Sequence, residues 1–436
     1  MRSLGLVKLT ALVIGNMVGS GIFLLSSSLA QYGSISIIAW IFTSIGSILI
    51  AIVFARLSAL LPKAGGPYAY CHEAFGGFVG FLIAYMYWIY SWVGNAAIAT
   101  SLISYFTYFM PFISQSSLFS FLLIAGVVWL LTWVNILGVA TAGTLQVITV
   151  FLKIIPLIFI SFLGFFFIKF QNLSAFNVTT HSNFFALTSS AALTMWALTG
   201  VESATVPADH VDNPKKNIPL ATILGTVIAI TLYILSTIVV MGIIPMSSLA
   251  KSNAPFAEAA KLAIGPIGGG IIAMAAIISS FGALNGWILL QGQVPHAASV
   301  NKVFPGYFKK LSRFNTPSNA LIVSSLLITA LLLMNYHQNL VDKFTNIISL
   351  ATVSILLVYG VTMIAEIKLL IKNRNFQSFY RKISINILAL FYIIWACYGL
   401  DHQMLFYCLL LSLSGVPIYF WNRFRQNEWQ YSRSIE

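Results

Sequence analysis

The chain has 436 residues, of which 59% are hydrophobic and only 8% are charged. Soluble domains carry roughly 25% charged residues, so this composition excludes a soluble globular protein and indicates an integral membrane protein. The formal net charge is +13, which raises the question of a nucleic-acid partner until the positions of the basic residues are considered.

The apolar segments are long enough to cross a bilayer. A hydrocarbon core of about 30 Å needs about 20 apolar residues in a helix. The sequence predicts an all-α integral membrane protein, with residues 1–436 in a single transmembrane domain. The twelve predicted helices lie near 7–31, 34–61, 79–110, 117–137, 143–169, 184–206, 219–244, 263–300, 318–336, 341–367, 384–400 and 403–422. The first run lacks the features of a cleavable signal peptide, so we expect it to remain in the mature protein.

The basic residues are distributed unevenly between the two sides of the membrane. With both termini in the cytoplasm, 18 of the 23 basic residues lie in inside segments, 4 lie in outside segments, and Lys153 lies within a predicted span. This asymmetry is the positive-inside rule. It predicts cytoplasmic N- and C-termini and contact with the lipid bilayer, and it argues against nucleic acid. We expect a bacterial inner membrane, because no organelle-targeting segment or glycosylated loop is visible.

No metal or cofactor site is predicted. The three cysteines, Cys71, Cys397 and Cys408, have no CxxC or metal-like spacing. The pair His72-Glu73 is not followed by a second histidine four residues on, so a zinc hydrolase motif is absent from the sequence. We therefore expect neither a metal nor a cofactor.

The first predicted helix contains the glycine-rich stretch GNMVGSGIF, residues 15–23. A glycine in a helix interior costs about 1 kcal/mol relative to alanine. In lipid, any backbone group freed by a break must find another partner. The stretch therefore predicts an interruption of helix 1 that faces a cavity.

A second interruption is predicted in helix 6, five helices later. Thr199, Gly200 and Glu202 lie near the middle of this apolar run. Paired interruptions are typical of transporters built from two inverted repeats. The predicted repeats are about 7–170 and about 184–367, with peripheral helices 11 and 12 at about 384–422.

Close helix packing is the alternative explanation for these small residues. Gly15 and Gly19 have the small-xxx-small spacing that lets two helices approach. That explanation does not account for Glu202, because a carboxylic acid within a membrane helix costs several kcal/mol and marks a functional site. We expect Glu202 to be protonated or to be hydrogen-bonded to the exposed backbone of the break.

The two helix breaks together offer binding groups for both the carboxylate and the ammonium group of an amino acid. Where helix 1 resumes after Gly19, free N–H groups and the positive end of a helix dipole form a seat for a carboxylate. The carbonyls at 14–18 and 196–199 end the preceding half-helices and suit an ammonium group. Trp196 and Trp287 lie within spans beside polar or glycine-rich stretches, where aromatic faces bind cations.

The motifs at these places resemble those of the amino acid, polyamine and organocation transporter superfamily. Within it, the chain resembles the bacterial arginine/agmatine antiporters and the putrescine/ornithine exchangers. The resemblance covers nearly the whole chain. It is based on GNMVGSGIFLLSSSLA in helix 1, PKAGGPYAYCHEAFG after helix 2, YWIYSWVGN in helix 3, LTMWALTGVESATV with NPKKNIPLAT around helix 6, and NGWILLQGQ in helix 8. It implies a LeuT-like fold with broken helices 1 and 6.

The resemblance also implies the positions that hold the substrate. Ser20 and Gly21 would bind the substrate carboxylate. Carbonyls near Met17, Trp196 and Thr199 would bind the α-ammonium, and Trp196 would be the central gate.

Further roles follow from the same resemblance. Trp287 would be the platform for the substrate side chain, and Asn95 would line the distal pocket. Tyr87 would close the outer path, and Tyr68 would belong to the cytoplasmic gate. Glu202 would be the buried acid that senses protons.

Two features depart from the arginine antiporters. Their helix 3 carries small residues where this chain has Tyr90 and Ser91. A tyrosine there would shorten the distal pocket or offer its hydroxyl to a different side chain, so arginine is left open as the substrate.

Lys153 in helix 5 is the second departure. Lysine within a span needs a partner or must extend to the interface. Some proton-coupled relatives place a lysine where sodium-coupled relatives bind a cation beside helix 1. Lys153 would then replace sodium.

The predicted function is secondary active exchange of an amino acid, basic or otherwise, for a related amino acid or amine. The alternative is a proton-coupled amino-acid uptake permease. A channel would need rings of polar residues along a pore, and an enzyme would need paired acids or metal ligands; the sequence shows neither. The oligomeric state is left open, with a homodimer among the expectations.

Overall fold

A computed structural model gives the architecture. It describes residues 4–19, 21–63, 65–138, 154–155, 157–206, 208, 211–372 and 379–433. Ser20 and Lys153 lie outside the described residues. Within the described ranges the chain is helical, apart from connecting turns and one isolated pairing of extended residues between Leu4 and Val211.

The helices follow one another with short connections. In the first half of the chain they are α1 Leu6–Met17, α2 Gly21–Ala30, α3 Ile35–Leu60, α4 Pro67–Phe75, α5 Gly77–Phe106, α6 Phe112–Gln115, α7 Ser117–Ile136 and α8 Leu157–Phe167. In the second half they are α9 Asn183–Ala197, α10 Pro214–Ile243, α11 Met246–Leu249, α12 Pro255–Val300, α13 Ser318–Met334, α14 Leu340–Lys372, α15 Phe379–Tyr398 and α16 His402–Arg433.

Many of these helices are long and apolar enough to cross a membrane. The described residues contain ten such candidate spans, with α1 and α2 counted as one. Two predicted spans correspond to the shorter apolar helices α8 and α13, and part of the predicted 143–169 window lies outside the described residues. The all-helical membrane class is thus confirmed, whereas the count of twelve spans stays a prediction.

The predicted start of helix 8 at 263 lies close to a kink within α12. This element runs from Pro255 to Val300 and joins two helices at Gly265, whose φ of 86° lies in the left-handed region. Glycine adopts that conformation without a side-chain clash, and the second helix begins after it.

The first helix is interrupted where its glycines cluster. It ends at Met17 and resumes at Gly21, and between them Val18 turns away from helical geometry with ψ of 78°. A Cβ added at Gly21 would lie 3.2 Å from Trp196 Nε1. The backbone of α2 thus approaches the indole closely, and a larger residue at this position would have to displace the ring.

The second interruption follows α9. Gly200 has φ of 98°, a left-handed conformation, and a 3₁₀ turn follows at Val201–Thr205. A Cβ added at Gly200 would lie 3.6 Å from the carbonyl carbon of Asn16. The two interruptions therefore face each other across a short distance.

Burial separates a central from a peripheral part of the bundle. In α5 and in the segment Asn183–Thr205, 78% and 83% of the most apolar window is buried. The corresponding fractions are 28% for α15 and 11% for His402–Phe424. The last two helices thus lie at the edge, and the broken helices lie inside.

Candidate functional site

A small cavity lies between the two interruptions. Its volume of about 20 Å³ is room for about one water molecule. It is lined by Asn16, Met17, Gly19, Gly21, Tyr90, Ser91, Gly94, Ile98, Trp196, Ala197, Thr199 and Trp287. Helices α1, α2, α5, α9 and α12 therefore contribute to one site.

Most of the substrate-contact residues predicted from the sequence meet at this cavity. The lining includes Met17, Gly21, Trp196, Thr199 and Trp287, together with the specificity positions Tyr90 and Ser91. The described lining does not include Asn95, Tyr87, Glu202 or Tyr68.

The ring of Tyr90 contacts both tryptophans of the cavity lining, Trp196 and Trp287. Its ring meets Trp196 at a centroid distance of 5.9 Å and Trp287 at 5.7 Å, both edge to face. The Tyr90 hydroxyl donates to Thr199 Oγ1 at 2.8 Å, and Thr199 Oγ1 donates to the Trp196 carbonyl at 2.7 Å. The Tyr90 ring therefore contacts both indoles, and its hydroxyl connects α5 to the C-terminal end of α9.

The Met17 carbonyl has a partner that the sequence did not reveal. Tyr233 in α10 donates its hydroxyl to this carbonyl at 2.6 Å. The Tyr233 ring stacks on Trp40 in α3 at 5.3 Å. Two neighbouring helices thus hold the end of α1 in place, and the same carbonyl also accepts from the Gly19 N–H at 2.8 Å.

Glu202 is fully buried beside the second interruption. Tyr87 donates to Glu202 Oε1 at 2.9 Å, and Tyr359 donates to Glu202 Oε2 at 2.5 Å. The Tyr359 hydroxyl also accepts from the Gly200 N–H at 3.2 Å. The carboxyl group consequently links α5, α14 and the break after α9. The sequence placed Tyr87 and Glu202 in the site but gave no signal that singled out Tyr359.

Asn95 lies one turn from the cavity wall and pairs with Gln291. Asn95 Nδ2 donates to Gln291 Oε1 at 2.7 Å. Asn95 Oδ1 and Gln291 Nε2 are buried and have no hydrogen-bond partner in the described part of the chain. A buried polar atom without a partner costs about 1–3 kcal/mol, so this pair has unused capacity to bind a polar group.

Tyr68 lies apart from the cavity, on α4. Its ring is 5.8 Å from that of His72. Burial raises the pKa of the Tyr68 hydroxyl, and a hydrogen bond with Asn301 lowers it. This residue belongs to the surface where the connections around α4 and after α12 meet.

The described residues contain no cluster of three or more His, Cys, Asp or Glu side chains that could hold a metal ion. The described lining of the cavity offers backbone groups, hydroxyls and aromatic faces.

Comparisons with known proteins place nearly the whole chain among its relatives. A family profile described as Amino acid permease matches residues 4–415. The chain is 33% identical to the putrescine transporter PotE of Haemophilus influenzae over 422 residues, 96% of each chain. It is also 33% identical to the putrescine transporter PotE of Escherichia coli strain K12 over 422 residues, 96% of this chain and 95% of the relative.

A second kind of relative has the same level of identity. The cadaverine/lysine antiporter of Escherichia coli strain K12 is 33% identical over 384 residues, 86% of each chain. Both kinds of relative are transporters, not enzymes, and the resemblance inferred from the motifs is confirmed. The chain belongs to the amino acid permease (APC) family of membrane transporters.

Proposed function

We propose that the protein exchanges an amino acid for a related amine or amino acid by alternating access. The observation that supports this most is the meeting of two interrupted helices, at Met17–Gly21 and Ala197–Val201, around one cavity with aromatic walls. Non-helical backbone is tolerated within a membrane only where it is buried in protein or lines a cavity. Both interruptions meet that condition.

Backbone groups at the two interruptions would bind the charged ends of the substrate. The first turn of α2, beginning at Gly21, offers N–H groups to a carboxylate, and we place Ser20 in this seat from the sequence alone. The carbonyls of Met17, Trp196 and Thr199 end the preceding helical segments and suit an ammonium group. An α-amino acid carries both groups, whereas a diamine carries an ammonium at each end.

The aromatic walls would select the rest of the substrate. An indole face attracts a cation within about 6 Å of its centroid, and Trp196 and Trp287 both line the cavity. The relatives named above are a putrescine transporter and a cadaverine/lysine antiporter. We therefore propose a linear cationic substrate, with Tyr90 and Ser91 setting its length and Asn95 with Gln291 receiving a distal polar group.

The cavity is too small for such a substrate unless a wall moves. An amino acid is several times larger than the roughly 20 Å³ present. Displacement of the Tyr90 side chain would open the space between Trp196 and Trp287. That space would then be continuous with the cavity. We propose that substrate entry displaces this ring and breaks its hydrogen bond to Thr199.

Glu202 is the proposed proton-responsive group. Its carboxyl joins Tyr87 and Tyr359 to the break after α9, so a change in its protonation would change the contacts with both α5 and α14. Tyr87 and Trp196 would close the outer path, and Tyr68 would close the cytoplasmic path. From the sequence alone, Lys153 would replace a sodium ion.

The membrane arrangement is part of the proposal. We propose twelve spans in two inverted repeats, about 7–170 and about 184–367, followed by two peripheral helices at about 384–422. Both termini would lie in the cytoplasm of a bacterial cell, with the protein in the inner membrane. A homodimer is the proposed assembly.

Transport by purified protein in liposomes tests the function. Uptake of radiolabelled putrescine, cadaverine, lysine, ornithine, arginine and agmatine would be measured in sodium-free buffer, with protein-free liposomes as the control. Uptake that requires unlabelled substrate inside supports exchange. Uptake driven by a proton gradient into substrate-free liposomes supports the alternative, a proton-coupled permease.

Two results would contradict parts of the proposal. Uptake of none of these compounds under either condition would exclude both forms of cationic transport. Uptake that appears only when sodium is added would remove the role assigned to Lys153, and so would normal sodium-free transport by Lys153→Ala.

A further inference from the structure

A second cleft lies at the surface formed by α4, the start of α5, the turn after α12 and the end of α16. Its volume is about 210 Å³. Its lining consists of His72, Gly77, Asn301, Lys302, Val303, Tyr419, Asn422 and Arg423. None of these residues lines the cavity between the two interruptions, so the cleft is a separate site.

The charge of the cleft is positive. Arg423 reaches it from α16 and Lys302 from the turn after α12, and no Asp or Glu is among the described lining residues. Glu73 follows the lining residue His72, but its carboxyl binds the ammonium groups of Lys63 at 3.2 Å and Lys372 at 3.3 Å. These hydrogen bonds and charges hold the pKa of Glu73 below its usual range. This carboxylate is therefore already neutralised by other cations.

Backbone hydrogen bonds hold the turn that carries Lys302 in one conformation. Lys302 has φ of 60°, a left-handed conformation that few residues other than glycine adopt. The turn is fixed by hydrogen bonds from Lys302 N–H to Ser299 O at 3.0 Å and from Val303 N–H to Ala298 O at 2.9 Å. On the opposite wall, Gly77 begins the 30-residue helix α5, whose N-terminus carries partial positive charge.

An apolar surface adjoins the cleft on α16. Phe420, Trp421 and Phe424 are 55%, 69% and 74% exposed, and they lie next to the lining residues Tyr419, Asn422 and Arg423 in the sequence. Exposed aromatic side chains at the end of a membrane helix are typical of the membrane interface. The cleft thus combines a cationic pocket with a surface suited to acyl chains.

We propose that this cleft binds the phosphate group of an anionic phospholipid. Arg423 and Lys302 would donate charge-assisted hydrogen bonds to the phosphate oxygens, and the amides of Asn301 and Asn422 would contact the polar headgroup. Its acyl chains would lie along the exposed aromatic side chains of α16. Free phosphate shares the headgroup chemistry but has no acyl chain to place there.

Native mass spectrometry of the full-length protein in detergent tests this proposal. Dioleoyl phosphatidylglycerol and dioleoyl phosphatidylcholine would be titrated separately, since they share acyl chains and differ in headgroup charge. We expect a tighter first binding event for phosphatidylglycerol. In the Lys302→Gln/Arg423→Gln variant its apparent affinity should fall about tenfold or more, because each cation near anionic lipid contributes appreciably to binding.

The matched control is Lys309→Gln/Lys310→Gln, which removes the same charge from the connection after α12 without touching the lining of the cleft. Unchanged affinity in this control, with loss in the first variant, supports the site. Equal loss in both variants would overturn it, since the effect would then reflect overall charge. If the double variant does not fold, the single variant Arg423→Gln replaces it in the titration. Full affinity of that single variant for phosphatidylglycerol would also overturn the assignment.

Sodium phosphate distinguishes the two sources of the anion. Thermal stability of the protein in detergent would be followed as phosphate is added. We expect no saturable stabilisation at millimolar phosphate. Stabilisation that is absent from Arg423→Gln would support an anion site but overturn its assignment to lipid.

Discussion

The Tyr90 hydroxyl donates a 2.8 Å hydrogen bond to Thr199 Oγ1, which ties the middle of α5 to the interruption after α9. The same ring separates Trp196 from Trp287. A single side chain thus lines the cavity and bridges two segments that would have to separate in the proposed alternating access.

Replacing Tyr90 with serine should enlarge the cavity and broaden the range of substrates. The ring lies between two aromatic walls, so its removal leaves room for longer or bulkier side chains. Competition by unlabelled amines and amino acids against the best labelled substrate measures the change. We expect long substrates such as arginine and agmatine to gain affinity relative to short ones.

Tyr398→Ser is the control for this change. Tyr398 ends α15, is 64% exposed and does not line the cavity, so its loss should leave the substrate order unchanged. An unaltered order of competitors in Tyr90→Ser would show that Tyr90 does not determine specificity.

Replacing Tyr90 with phenylalanine should loosen the coupling of exchange. The ring remains, but the hydrogen bond that joins α5 to Thr199 is lost. An empty carrier would then reorient more readily. Release of labelled substrate from liposomes into buffer without substrate should rise several-fold, while exchange stays near its original rate. Release equal to that of the unmodified protein would contradict this role.

Glu202→Gln should remove most of the pH dependence of transport. The amide cannot titrate, and only one of its two polar atoms can accept a hydrogen bond, so either Tyr87 or Tyr359 loses its acceptor. Initial exchange rates between about pH 5 and pH 8 give the profile. Glu258→Gln, a carboxyl change on α12 outside the cavity, is the control. A retained profile in Glu202→Gln would assign the proton response to another group.

Trp287→Ala should weaken the binding of linear cationic substrates by about 1–2 kcal/mol if its face binds a cation. Alanine and serine, which carry no side-chain charge, should bind almost as before. Calorimetric titration with both classes of ligand measures the difference. Equal loss for the two classes would mean that Trp287 supports the fold rather than the substrate.

The two helix interruptions could be predicted from the sequence because their residues depart from the apolar composition of the surrounding membrane helices. Glycines and a carboxylic acid are conspicuous in apolar runs, so Gly21, Gly200 and Glu202 stand out from their neighbours. Tyr233 and Tyr359 do not, because a tyrosine in an apolar helix is common and its partner depends on how distant helices pack. The hydrogen bond between Asn95 and Gln291 is hidden for the same reason, since 196 residues separate the two amides.

The ion pair between Arg56 and Glu366 joins α3 to α14. Arg56 Nε donates to Glu366 Oε1 at 2.8 Å, and Arg56 Nη2 donates to Oε2 at 2.7 Å. Asn386 Nδ2 from α15 donates to the same carboxylate at 2.6 Å. Glu366 is 1% exposed and Arg56 is 20% exposed, so little water is present to replace a lost partner.

Arg56→Gln should therefore destabilise the protein by about 3 kcal/mol, because it leaves a buried carboxylate without its cation. The thermal unfolding temperature in detergent should fall clearly. The double variant Arg56→Gln/Glu366→Gln removes both charges. It should regain much of the lost stability, since no unpaired charge then remains. The control Lys63→Gln disrupts the exposed pair with Glu73 and should change the unfolding temperature little. If Arg56→Gln and Lys63→Gln lower it equally, or if the double variant is no better than Arg56→Gln, the buried pair does not hold α3 against α14.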